Sequence, residues 1–387
     1  MRILFISTHN VACGIADYNS NMMKAASSSH DCDVEVLPQN TPISKSELRK
    51  MADRARNYDV VVIQHEWSFI GYNLPSHYDR MRFFLRRLYK SNIPTAIIMH
   101  SQFVTIPRSR GLLAYLSEPV SRIPFVLAIN GSPNVKLFVH NKKSVDNMVG
   151  RGIKSEKVEL IKFPHQNRDK LVSARSDSDS ITLLMFGFIS AYKGYETALS
   201  ALRLLPDNFR LVIAGAQHPN AMQDLTYENI LGFIRSGLWN SHRRLPEIFS
   251  QFNLQESQKF SKRVILRGHL SYDEIAGEIA AADIVLAPYF AEDAPAGSAA
   301  VEWPISLGKP TIVSAIQTFE DYIKEKCVIP VTPGAPHHLA KAISDLAESK
   351  VEMDRLSSSA LKYARENSVE AVTNQILSVL EGARQKT

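Results

Sequence analysis

Cysteine is scarce in this chain: Cys13, Cys32 and Cys327 are the only three in 387 residues. Their spacing suits no metal, and they offer no paired disulfide framework, which fits a reducing compartment. Long apolar runs are also lacking. None approaches the ~18 residues of a membrane-spanning helix. No low-complexity segment and no internal repeat is visible, so a solenoid is excluded. Several signatures are missing too. No strand is followed by G-x-G-x-x-G, no glycine run ends in G-K-[ST], and no H-E-x-x-H occurs. A dinucleotide fingerprint, a Walker loop and a zinc-protease helix are thereby unsupported. The opening MRILFIST reads as a strand after a single arginine, not as a signal peptide.

What is present is an ordinary globular composition, 45% hydrophobic and 22% charged, in a chain too long for one core. Charge is uneven. Residues 1–170 carry 24 Lys and Arg against 14 Asp and Glu, a balance of +10; the rest carries 21 against 25, a balance of −4. Two bodies with different surfaces are expected, the basic one facing an anionic substrate or surface.

Strand and helix patterns alternate. Strands are expected at Arg2–Ser7, Asp59–Gln64, Thr95–Met99, Phe125–Ile129, Val135–Val139 and Val158–Ile161, with helices near 45–57 and 76–91. A polar, aperiodic stretch, RDKLVSARSDSDS, reads as a linker. The pattern then restarts, with strands at Ile181–Phe186, Phe209–Ala214, Val264–Arg267, Ile284–Ala287 and Thr311–Val313. Residues 217–262 are the least regular part and are expected to form helices that the pattern does not place, and 352–383 read as a broken amphipathic helix pair. The fold class is α/β: two Rossmann-like domains, 1–170 and 181–365, with a deep cleft between them. Residues 366–387 are expected to form a helix packing back on the first domain.

Ligands of such sheets sit beyond the carboxyl ends of the strands, so the loops there carry the candidates. Gly14 precedes a helix after the first strand; it either admits an anion at the helix mouth or only makes a tight turn. His65 and Glu66 end one strand and His100 another. They suit a substrate site, or serve as structural hydrogen-bonding residues. Lys193, before Gly194 at a helix mouth, can reach a phosphate, and Arg267 would join it from a neighbouring strand end as a diphosphate clamp. The plainer readings are a surface lysine and an edge salt bridge. Gly297 and Ser298 bring backbone N–H groups to another helix mouth. Glu302, a turn further in, suits the vicinal hydroxyls of a ribose, or is merely an acid favoured by the helix dipole.

CGIADY, IQHEWSFIG, IMH, FPH, GFISAYKGYETALSAL, RGHLSYDEI, ADIVLAPY and AGSAAVEWPISLGKPTIVS, in that order, make the chain similar to the retaining GT-B glycosyltransferases of family four. The resemblance covers nearly the whole chain. It implies that Gly14 lies against the donor diphosphate, that His100 stands near the reacting sugar, that Lys193 contacts the phosphates and that Glu302 holds the ribose. His65 matches the histidine of a QHE signature.

Two positions depart from the family pattern. Phe188 stands where an arginine is usual, and Ala294 where the first of two paired acids is usual, with Glu292 and Asp293 out of step. Sugar contacts would then come from backbone N–H groups near Ser298 or from Asp293.

The implied chemistry is metal-independent, front-face, retaining transfer of a hexosyl group from a UDP- or GDP-linked sugar to a glycan or lipid-linked acceptor. It needs no cofactor and no nucleic acid. The other readings are a non-catalytic sugar-nucleotide-binding protein and a GT-B epimerase or phosphorylase. The expected location is the cytoplasm, with peripheral contact to an anionic membrane. That contact rests on the basic stretch YDRMRFFLRRLYK (78–90), whose apolar side alternatively just covers the sheet.

Overall fold

The computed structural model describes residues 1–11, 14–38, 43–70, 74–103, 112–168, 180–217, 225–239, 253–290 and 297–384. Its contacts divide the chain into two units. One holds Met1–Pro164, Pro295–Gly297 and Asn367–Thr387, the other His165–Ala294 and Ser298–Glu366.

The first unit opens with β1 (Arg2–Ser7), α1 (Gly14–Ala26), β2 (Asp31–Val36), α2 (Lys45–Ala55), β3 (Val60–His65), α3 (Trp67–Ile70) and α4 (Leu74–Tyr89). It continues with β4 (Thr95–Met99), α5 (Leu112–Asn130), β5 (Val135–Val139), α6 (Lys142–Gly150) and β6 (Val158–Leu160). All pairings are parallel, in the order β2-β1-β3-β4-β5-β6. Both faces are covered, as a parallel sheet requires.

The second unit runs through β7 (Ile181–Phe186), α7 (Tyr195–Leu204), β8 (Phe209–Ala214), α8 (Thr226–Ser236), α9 (Leu254–Ser261), β9 (Val264–Gly268), α10 (Tyr272–Ala281), β10 (Ile284–Ala287) and α11 (Ala299–Ser306). Then come β11 (Thr311–Ser314), α12 (Glu320–Lys324), β12 (Ile329–Val331), α13 (Pro336–Ala347) and α14 (Lys350–Glu366). Its parallel sheet has the order β12-β11-β10-β7-β8-β9. The order reverses between β7 and β10, the place where doubly wound sheets bind ligands. The last helix, α15 (Val369–Arg384), belongs to the first unit: Val372, Ile376 and Leu380 pack with Ile3, Phe5 and Met22.

One expectation needs correction, and one strand adds to the reading. Phe125–Ile129 is helical, the end of α5. A short apolar run does not distinguish strand from buried helix. The helix runs through Pro119 and Pro124. Phe125, Val126 and Ile129 reach the core while Val120, Ile123 and Leu127 stay exposed, the spacing of a helix. β2 was not expected because its sequence, DCDVEV, alternates charge with apolar residues; it is an edge strand with little burial. Within 217–262, where helices are expected but not placed by the pattern, the described residues form α8 and α9. Most of the expected linker, 169–179, lies outside the described residues.

In the first unit, side-chain alternation decides what each strand end presents. Val61, Ile63, Ile97, Met99, Leu137 and Val139 pack into one core face, whereas Val60, Val62, Ala96, Ile98 and Phe138 pack into the other, with α1 and α15.

Candidate functional site

That alternation carries Gln64, His100 and His140 to the α1 side of the sheet, at the ends of β3, β4 and β5. The register pairs Gln64 with Ile98, and Ile98 with Phe138, so His100 and His140 emerge at one level and Gln64 lies two residues beneath them. Tyr18 of α1 sets its ring edge-on to His100 at 5.0 Å between centroids, and also meets His140 at 5.6 Å and Phe163 at 5.8 Å. Nε2 of His100 lies 2.8 Å from Oε1 of Gln64. Burial, with smaller contributions from His140 and His65, pushes the half-buried His100 down to about 3. Burial likewise takes His140 down to about 4. Both rings are neutral at ordinary pH. The buried Tyr18 hydroxyl has no hydrogen-bond partner among the described residues, and burial raises its pKa.

His65 points the other way. Its fully buried ring packs edge-on against Trp67 at 4.3 Å, and neither ring nitrogen has a hydrogen-bond partner among the described residues. Burial pushes it down to about 3. One residue of alternation therefore separates His65 from the polar cluster, and this expected substrate-site residue lies inside the aromatic core. Glu66, which follows, is half-buried before α3. Gly14 begins α1, exposed, with no atom of the described residues within 4 Å of where a Cβ would stand. Gly297 has a packing role within the first unit: a Cβ there would come 2.3 Å from the Phe163 ring.

In the second unit the loops after β7 and β10 meet where the strand order reverses. Gly194 has φ 71°, and a Cβ there would stand 2.0 Å from the carbonyl oxygen of Pro288, so only glycine closes this junction. Lys193 is buried, and its Nζ donates to the Phe186 carbonyl at 2.9 Å. Burial lowers its pKa to about 7. Gly187, at φ 90°, leaves room for that amine, since a Cβ would lie 2.7 Å from Nζ.

Glu302 of α11 is buried, and three donors converge on its Oε1: Arg168 Nη1 at 2.6 Å, the Ser306 hydroxyl at 2.8 Å and the Gln166 backbone N–H at 3.0 Å. The Arg168 guanidinium also lies over the Trp303 ring, 3.9 Å from its centroid. His165 joins Ser306 through Nδ1 at 3.0 Å and Tyr322 through Nε2 at 3.2 Å. Reading the sequence missed Arg168, His165 and Ser306 as partners of Glu302. FPHQNR supplied a signal, two basic residues three apart, but nothing local pointed to a helix 134 residues further on. Ser298 caps no amide with its side chain; its Oγ lies 3.0 Å from the Tyr289 hydroxyl.

Arg267 corrects the expected clamp. It ends β9, the edge strand, with β8 between it and β7. Its guanidinium Nε pairs with Glu278 at 2.7 Å and remains about half exposed (49%). The strand order thus keeps it away from the junction where Lys193 sits. Asp293, like Glu292 and Ala294, lies outside the described residues. No helix among the described residues is long and apolar enough to cross a membrane.

Residues 167–366, just over half of the chain, match the family described as Glycosyl transferases group 1. No curated protein matches the chain in sequence. Among solved structures, the chain is similar to Anabaena Alr3699/HepE in complex with UDP, at 14% identity over 99% of this chain and 100% of that one, with a TM-score of 0.72. It is similar to the same protein in complex with UDP-glucose at 16% identity, with the same coverage and a TM-score of 0.69. A sucrose-phosphate synthase from Thermosynechococcus elongatus covers 100% of both chains at 15% identity and a TM-score of 0.68. At these identities the likeness is one of fold, that of two Rossmann-like domains in the GT-B arrangement of elements. With the family match spanning β7 to α14, the chain belongs to the glycosyl transferases group 1 family and is a GT-B glycosyltransferase.

Proposed function

We propose that the protein transfers a hexosyl group from a nucleoside-diphosphate sugar to a glycan or lipid-linked acceptor, with the anomeric configuration kept. The observation that carries this reading is the junction of the β7 and β10 loops. A buried lysine there stands before a left-handed glycine at the mouth of α7, a place suited to a diphosphate. In this reading Lys193 and the helix N–H groups stabilise the charge that the diphosphate gains on leaving. Glu302 receives the ribose hydroxyls, held in place by Arg168 and Ser306. Gly14 lies by the diphosphate, and His100 stands by the transferred sugar.

The bond from the anomeric carbon to the phosphate oxygen breaks through an oxocarbenium-like state. The acceptor oxygen bonds to the same face, and its proton passes to the leaving phosphate. Positive side chains and helix mouths stand in for a divalent metal. HepE, similar in fold, has been seen with UDP and UDP-glucose, which makes a UDP-linked donor the first to test.

Work at the cytoplasmic face of an anionic membrane is part of the proposal. The basic stretch expected to carry it runs along α4 to Lys90, with Arg86 and Lys90 exposed, and α5 adds a second candidate. The apolar side of α4 is buried (Met81, Phe84, Leu85, Leu88), whereas Val120, Ile123 and Leu127 of α5 form an exposed apolar stripe at helical spacing.

The test is incubation with UDP-, GDP- and ADP-linked hexoses, with and without a chelator. Slow hydrolysis of one donor, unaffected by the chelator, with an α-donor releasing an α-product, supports the reading. Binding without any turnover would favour a non-catalytic sugar-nucleotide-binding protein. Interconversion of the sugar, or phosphate-dependent cleavage, would favour the epimerase or phosphorylase reading.

A further inference from the structure

Beneath the His100 ring lies a relay of buried amides. Asn19 of α1 and Gln64 of β3 are both fully buried. A carboxamide has one accepting and one donating end, and its shape alone does not tell which is which. Two methionines decide the matter here. A thioether sulfur has lone pairs and no proton, so it accepts only.

Asn19 Nδ2 lies 3.3 Å from the Met23 sulfur. Reversing that amide would set its oxygen against sulfur lone pairs, so Oδ1 faces Gln64. Gln64 Nε2 then has two acceptors, Asn19 Oδ1 at 3.3 Å and the Met22 sulfur at 3.6 Å. Its Oε1 is left for His100, 2.8 Å from Nε2. A carbonyl oxygen cannot donate. The ring nitrogen facing it must carry the proton, and in a neutral ring the other nitrogen, Nδ1, is the acceptor.

We propose that Gln64 is a positioning residue that holds His100 as the Nε2-protonated tautomer, its own direction set by the thioethers of Met22 and Met23 through Asn19. The ring therefore presents a fixed lone pair at Nδ1. It suits a hydroxyl donor, and on the reading of the preceding subsection that donor is a hydroxyl of the sugar substrates. This last step rests on that reading; the tautomer does not. Gln64 acts through His100 and touches no substrate itself.

The tautomer can be read without any ligand, from long-range proton–nitrogen correlations of the full chain labelled with ¹⁵N-histidine at pH 7. His100, assigned by its loss in His100→Gln, is expected to show a protonated Nε2 and a bare Nδ1. Gln64→Glu replaces the amide oxygen by a carboxylate oxygen of the same shape. It keeps that tautomer and raises the His100 titration by ~1–3 pH units. The titratable groups near His100 are Tyr18 on α1 and His140 after β5, with His65 of β3 on the opposite face of the sheet. All three are neutral at pH 7, so the shift reports the new carboxylate.

Gln64→Leu removes the acceptor, and His100 is expected to become a mixture of tautomers. Met22→Leu with Met23→Leu, close in volume, is expected to produce part of the same mixture. A parent protein with the proton on Nδ1 overturns the proposal. So does a folded Gln64→Glu protein whose His100 titrates as before. Should Gln64→Leu not fold, the glutamate variant decides. Failure to turn over any sugar nucleotide would count against the functional reading and leave the tautomer assignment intact.

Discussion

Nη1 of Arg168 lies 2.6 Å from Oε1 of Glu302, and both side chains are buried within one unit. A buried charge stripped of its partner is costly, so the pair ties the start of the second unit to α11. Arg168→Met is expected to lower unfolding stability by about 3–5 kcal/mol in urea titrations. Glu302→Gln retains a hydrogen-bonding shape but loses the charge, and nucleoside diphosphate affinity is expected to fall by ~1.5–3 kcal/mol. Unchanged affinity by calorimetry would leave Glu302 as a purely structural acid.

On the proposed reading, in which Lys193 meets the donor phosphates, donor binding is pH-dependent. The lysine's pKa, lowered to about 7 by burial, leaves it mostly neutral at pH 8. An anionic diphosphate favours the charged form and raises that value, so binding takes up a proton. Affinity is expected to weaken above pH 7, by up to about tenfold per pH unit. Calorimetry at pH 8 in buffers of different ionisation enthalpy should record the uptake. Lys193→Ala should abolish it and slow turnover ~100-fold. A parent protein with no proton uptake at pH 8 would exclude the phosphate role.

Arg267 offers a contrast. It stands on the edge strand, half exposed and paired with Glu278. Arg267→Ala is expected to stay within about threefold of the parent in kcat/KM, as surface changes away from a site do. A loss as large as that of Lys193→Ala would return Arg267 to the diphosphate.

Acid should loosen the first unit. Burial holds His65 at about 3 and His77 at about 4, against about 6.5 in an unfolded chain. Between those values the unfolded chain binds more protons. The contribution of each ring is complete above pH 6.5 and is lost as pH falls through that window, at up to ~1.4 kcal/mol per pH unit. Urea midpoints should therefore drop between pH 7 and pH 5. His77→Phe, which keeps a ring stacked on Trp67, should reduce the pH dependence by one proton. An undiminished slope would mean that His77 titrates freely when folded.

The membrane proposal is tested on α5. Vesicles with anionic lipid should sediment the protein at low salt, and Ile123→Glu with Leu127→Glu should leave it in the supernatant. Arg82 is already engaged by Asp79 at 2.9 Å, so its reversal should matter less. A parent protein that ignores anionic vesicles would favour a soluble acceptor.

Much of the fold was legible because buried parallel strands are short, apolar and bounded by turns. VVVIQH, TAIIM and IVLA fit that pattern. DCDVEV was not, since an edge strand keeps its charges. FVLAI misled, because five apolar residues serve a helix as well as a strand. At the site, Lys193 with Gly194 and Glu302 in its helix were visible as local patterns. Arg168 and Gln64 were not, because their roles depend on partners far away in the chain.

Local sequence alone determined the alternating elements, the glycine-bounded loops at strand ends and the family to which the chain belongs. Only the tertiary structure decided which strand ends are neighbours. It set β8 between Lys193 and Arg267, turned His65 into the core while His100 met Gln64, and brought Arg168 onto Glu302. The physical reason is that propensity and pattern act over a few residues, whereas strand order, register and the pairing of buried charges are settled by packing between segments far apart in the chain.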